Sequence, residues 1–123
     1  MNVENKVAVE TVRGEILSEA KGLTHGQRSA DYGGVFENHK GIARLFQAYL
    51  ESVCEKMTGE PMPFKLAAED IAHLMILLKV QRTTMANHVT RDHYVDIAAY
   101  AGIAGELAYQ ERDDYSDKFC PSE

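Results

Sequence analysis

The sequence has no tryptophan, only three prolines and only two cysteines in 123 residues. Pro61 and Pro63 share one short segment, so long stretches are free of this helix breaker. Cys54 and Cys120 are far apart and form no CxxC pattern. They read as reduced thiols of a cytoplasmic protein, not as a disulfide framework. No run approaches the ~18 apolar residues of a membrane span, so no membrane partner is expected. The opening MNVENKVAVE does not read as a signal peptide. Basic residues are the minority, 13 Lys and Arg against 19 Asp and Glu, for a net charge of −6. That balance argues against a general nucleic-acid binder, which needs a basic face. It leaves room for a small anionic ligand held by a few local cations.

What is present is an ordinary globular mixture, 45% hydrophobic and 26% charged. The length suffices for one domain with its own core. The pattern predicts an all-α fold: a single helical domain over 1–112 and a flexible acidic tail over 113–123. Val9, Val12, Ile16 and Leu17 mark a first helix to about Lys21, with Gly22 as its stop. A polar, glycine-containing loop from Thr24 to Gly34 follows, long enough to suggest function. His39, Ile42, Ala43, Phe46, Leu50 and Val53 form the apolar stripe of a second helix, which Gly59 and Pro61 end. The third helix, about 67–85, is apolar nearly all round from Ile71 to Leu78 and is expected to be the most buried. After a turn near Asn87, a fourth helix runs from about Asp92, capped by Thr90 or Asp92, to Gln110. It is rich in Ala and carries Gly102 and Gly105. Each glycine costs roughly 1 kcal/mol against alanine, which suggests another backbone packed closely, within the chain or across a dimer.

Charges within apolar helices mark the candidate site. Lys79 and Arg82 share one face at the end of the most apolar run, and Asp96 and Tyr100 share one face of the fourth helix. A buried charge must be paired or must meet a ligand. One reading is a pocket between the third and fourth helices, closed by a loop bearing Arg28, Tyr32 and Gly33. There Lys79, Arg82 and Arg28 hold phosphate, Tyr32 and Tyr100 meet a base or sugar, and Asp96 accepts from a hydroxyl or amine. In the other reading Lys79 and Arg82 are helix C-terminal cations with snorkelling stems, and Asp96 only pairs with one of them. The five histidines show no HExxH spacing and no i,i+4 pair. No phosphate-binding glycine loop and no nucleophile–base arrangement occurs.

The order Arg28-x-x-x-Tyr32-Gly33, Glu69-Asp70-Ile-Ala, Met75-Ile-Leu-Leu-Lys79-x-x-Arg82 and Asp92-x-x-x-Asp96-x-x-x-Tyr100-Ala resembles a family of small, uncharacterised phage and prophage proteins. That family is similar in helix pattern to the all-α nucleoside triphosphate pyrophosphohydrolases of the MazG and dimeric dUTPase type. The resemblance implies a MazG-like four-helix bundle assembled as a homo-oligomer. Those enzymes hold Mg²⁺ with an ExxE and an ExxD pair, and this sequence departs from that pattern. Asp70, Asp92 and Asp96 are the nearest metal candidates, and no catalytic residue transfers. Phages also encode small helical oligomers that sequester nucleotide immune signals, such as cyclic dinucleotides and cyclic ADP-ribose isomers. The resulting expectation is a cofactor-free binding protein for a phosphorylated, nucleotide-like ligand in the host cytoplasm. A Mg²⁺-dependent pyrophosphohydrolase and a protein–protein inhibitor of a host factor are the alternatives.

Overall fold

The structure, a computed structural model, describes residues 10–25 and 34–119, with side chains described to Glu111. Arg28, Tyr32 and Gly33 lie outside the described residues. Four helices follow in chain order: α1 Val12–His25, α2 Val35–Thr58, α3 Ala68–Met85 and α4 Arg91–Phe119. No strand occurs among the described residues.

The helix ends follow local chemistry. The Thr11 hydroxyl accepts the Gly14 N–H at 3.0 Å and caps α1, which therefore starts later than the apolar pattern suggests. Gly22 does not stop α1; the helix passes through it to His25. One interior glycine costs helix propensity without forbidding the conformation. Gly59 ends α2 as expected, in the left-handed region at φ 75°, its N–H donating to the Glu55 carbonyl at 2.8 Å. From 59 to 67 the chain is pinned back by Gln47, whose Oε1 accepts the Leu66 N–H at 2.7 Å and whose Nε2 donates to the Phe64 carbonyl at 3.2 Å. Helix α4 continues to Phe119, over part of the segment read as a tail.

The N-terminus of α3 has an unusual cap. Ala67 stands at the cap position and has no side-chain acceptor. Asp70 reaches back to its N–H at 2.7 Å, which completes only half of a capping box. The other half comes from far along the chain. Glu111 on α4 accepts the N–H groups of Ala68 at 3.0 Å and Glu69 at 3.3 Å. A carboxylate there satisfies two orphan donors and faces the positive end of the helix dipole.

Helices α3 and α4 form the central antiparallel hairpin, with α1 on α4 and α2 on α3. Ala68 and Ala72 pack on Ala104 and Leu107, joined by Val35, Phe36 and Ile103. Ala20, Val95 and Ala99 form a second cluster with Ile16 and Ala98. The buried side chains are mostly alanines; Leu107 is the one large side chain that is fully buried among the described residues.

The expectation that α3 is the most buried helix is overturned. Only Ala68, Ile71 and Ala72 of that helix are buried. Leu74, Leu77, Leu78 and Met85 face outward, with Leu77 62% and Met85 73% exposed. The hairpin partner α4 and the contact with α2 leave part of an all-round apolar cylinder uncovered. The stripe of α2 divides similarly: His39 and Ala43 are buried, while Phe46 is exposed beside Leu45 and Tyr49. Within the chain a Cβ at Gly102 or Gly105 would meet nothing within 4 Å. Among the described residues, no backbone packs against them.

Candidate functional site

Lys79 and Asp96 come together across the α3–α4 hairpin. Lys79 Nζ lies 2.9 Å from Asp96 Oδ2, with 15% and 29% of the respective side chains exposed. The register follows from the turn. Positions equally distant from residue 88, midway between Met85 and Arg91, face each other in an antiparallel hairpin. Lys79 and Asp96 satisfy that relation closely, as do Ala68 and Leu107. The pair thus lies about two turns from the hairpin bend, on the inner side of α3.

Asp96 also lines a cleft of about 480 Å³ between α1 and α4, together with Glu19, Gly22, Leu23, Asp92 and Val95. Its upper rim is fixed by Arg91, which bonds Glu15 and reaches Glu19 Oε2 at 3.3 Å, joining α1 to α4. The hydrogen bond to Glu15, opposed by desolvation and helped by the charges of Glu15, Glu19 and Asp92, holds the Arg91 guanidinium above its already high ordinary pKa. It therefore stays charged throughout the pH range in which proteins are studied.

The expected site is assembled only in part. Lys79 and Asp96 meet, and Tyr100 is half-buried one turn beyond Asp96 on the same helix. Arg82 is exposed and does not line the cleft. The cleft lies between α1 and α4, not between the third and fourth helices where a cationic pocket was expected, and its wall is acidic, with Lys79 reaching it only through Asp96. The three metal candidates are not brought together either. Asp92 and Asp96 share the cleft, but Asp70 follows Ala68 at the far end of the hairpin, where Leu107 and Glu111 pack. Eleven residues of helix, about 16 Å, separate Asp96 from Leu107. Among the described residues no three His, Cys, Asp or Glu side chains converge as a metal site. Sequence reasoning did not single out Glu19, which joins the cleft from α1, or Glu111. Reflection about the turn would have found Glu111, because it maps just ahead of α3.

A second hollow of about 220 Å³ lies at the hairpin bend, lined by Thr83, Ala86, His88, Val89, Thr90, His93 and Tyr94. His93 Nδ1 is buried there without a hydrogen-bond partner. No helix of the described residues is long and apolar enough to cross a membrane.

These features define a small all-α protein built on an antiparallel hairpin, with an ion pair between its central helices. The chain belongs to the family described as a domain of unknown function, DUF6378, whose model matches residues 15–108. It is similar to the Gene 55 protein of Mycobacterium phage L5, 39% identical over 100 residues, 81% of this chain and 56% of that protein. It is also similar to the Gene 55 protein of Mycobacterium phage D29, 40% identical over 96 residues, 78% of this chain and 54% of that protein. The chain therefore spans about half the length of these curated relatives. No solved structure matches it. The expected kinship with uncharacterised phage proteins is confirmed at this level.

Proposed function

We propose that the chain binds and sequesters a small phosphorylated, nucleotide-like ligand in the cleft between α1 and α4. The observation that carries this reading is the Lys79–Asp96 pair, mostly withdrawn from water, whose Asp96 lines that cleft. A part-buried ion pair adds little net stability, so its presence there is better suited to exchange with a ligand than to holding the fold. Lys79 offers an ammonium to one phosphate oxygen. Asp96, released from Lys79, accepts from a sugar hydroxyl or a base amine, and Asp92 and Glu19 offer further acceptors. The acidic lining favours a ligand with few phosphates and many hydroxyl or amine donors. Tyr100 supplies an aromatic ring next to Asp96. Arg28, Tyr32 and Gly33 follow the end of α1 in the chain and complete the proposed set.

Isothermal titration with mononucleotides, cyclic dinucleotides and cyclic ADP-ribose isomers tests this. Binding that K79M weakens at least tenfold, with the ligand recovered intact after denaturation, is the expected result. No heat from any of them at high micromolar concentration removes the proposal.

A second reading is Mg²⁺-dependent nucleotide pyrophosphohydrolysis of the MazG type. It draws on the placement of Glu19, Asp92 and Asp96 around one cleft. The lack of a convergent donor set among the described residues weighs against it. Incubation with nucleoside triphosphates distinguishes the two: release of pyrophosphate that chelation abolishes favours the enzyme.

A further inference from the structure

The four helices are not held with equal strength. Helix α1 packs on α4, and Ala20 is the one buried residue of its 14. Ile16, partly buried, joins Ala20 against Val95, Ala98 and Ala99. Val12, Leu17 and Leu23 stay exposed. The other tie is ionic: Arg91 bridges Glu15 and Glu19, and the three side chains are 42–48% exposed. Ion pairs so exposed stabilise little and are screened by salt. The α3–α4 hairpin, by contrast, buries Ala68, Ala72, Ala104 and Leu107 and adds the Lys79–Asp96 pair and the Glu111 cap. Segments with few buried apolar contacts open at a lower free energy than the core.

Helix α1 cannot stand alone once undocked. Isolated helices shorter than about 12–15 residues are marginal in water. Gly14 and Gly22 lower the helix propensity of this one further. Undocking and unfolding are therefore one event for α1. That event removes one wall of the cleft, since Glu19, Gly22 and Leu23 come from α1 and face Asp92, Val95 and Asp96 of α4.

We propose that α1 is a separate cooperative unit, latched to α4 by Arg91, whose undocking opens the cleft while the α3–α4 hairpin stays folded. Glu19 couples latch and cleft, because it lines the cleft and lies 3.3 Å from Arg91 Nε. An occupant that engages Glu19 leaves Arg91 on Glu15 and touches both walls, so occupancy holds α1 closed. That coupling rests on the proposed cleft ligand; the undocking does not.

Native-state hydrogen exchange on the full chain, read by NMR without ligand, tests the proposal. Protection of α1 amides from Ile16 to Leu23 is expected to lie about tenfold or more below that of α4 amides from Ala99 to Leu107. R91M should lower α1 protection a further two- to fivefold, about what exposed ion pairs allow, and leave the α4 amides unchanged. About 1 M sodium chloride on the wild type should act in the same direction, and this arm needs no variant to fold. Amides of α1 as protected as those of α4 would overturn the proposal, since α1 would then open only with the whole chain. So would an R91M protein whose α1 protection is unchanged, or whose α1 and α4 protection fall together. A titration in which no nucleotide binds leaves these outcomes untouched.

Discussion

Replacing Glu111 by alanine tests the long-range logic of the fold. Its carboxylate is the acceptor for the Ala68 and Glu69 N–H groups, at 3.0 and 3.3 Å, where Ala67 has no side-chain oxygen to offer. An N-cap is worth about 1 kcal/mol, and a hydrogen bond to a charged group roughly 1.5–3 kcal/mol. One of the two bonds is long, and water can reach the half-buried helix end in the variant. The loss should therefore fall near 1.5 kcal/mol, between those limits. At this chain length that lowers the melting midpoint by about 4–9 °C. E111Q keeps one acceptor and loses the charge, so it should fall between wild type and E111A. E106A, exposed on the same helix, serves as the control with no appreciable change. Urea unfolding followed by circular dichroism gives the free energies. An E111A protein within about 0.3 kcal/mol of wild type would refute the cap, because surface substitutions alone span that range.

Other substitutions probe the core, the ion pair and the glycines. L107A removes the fully buried leucine at the α3–α4 contact and should cost about 3 kcal/mol in urea unfolding. K79M leaves Asp96 without its partner at 29% exposure and should cost about 1–2 kcal/mol. The double variant K79M/D96L should recover most of that loss, giving a coupling of at least about 1 kcal/mol in the four-protein cycle. G102A should stabilise the isolated chain by about 0.5–1 kcal/mol, since nothing lies within 4 Å of the added methyl. A destabilised G102A would show that another backbone packs there in solution.

Much of this architecture is legible in the sequence because it is local. The bounds of α2 and α3 follow from apolar spacing and from Gly59 and Pro61, and the structure places them within about a residue. The start of α1 was misplaced because Val9 fits the apolar period, while the Thr11 hydroxyl sets the boundary. The Lys79–Asp96 pair was visible only as one of two readings. Helix periodicity shows which residues share a face, not which face meets which neighbour. The turn supplies the missing information. Once Asn87 and its neighbours are taken as the bend, reflection about residue 88 sets Lys79 opposite Asp96 and brings Glu111 to the start of α3. Arg82 stands apart from that pair for a related reason. It shares a side of α3 with Lys79, but three residues further on the helix has turned it out to solvent.

The burial of α3 was the larger error, and its cause is physical. A helix that is apolar on every side carries more apolar surface than α4 and α2 cover here. The side built from Ala68 and Ala72 meets the small-residue side of α4, because alanine faces let two backbones approach closely. Close approach also brings the stems of Lys79 and Asp96 within reach of each other. The leucines are then left on the opposite side by geometry alone, since both faces cannot meet the same neighbour. Alanine burial removes far less apolar area than leucine burial, so part of the hydrophobic free energy of this helix, chiefly that of Leu77 and Met85, is ungained in the single chain. The same pattern, small residues inward and large ones outward, thus fixes the hairpin, positions the ion pair and leaves Leu74, Leu77, Leu78 and Met85 exposed.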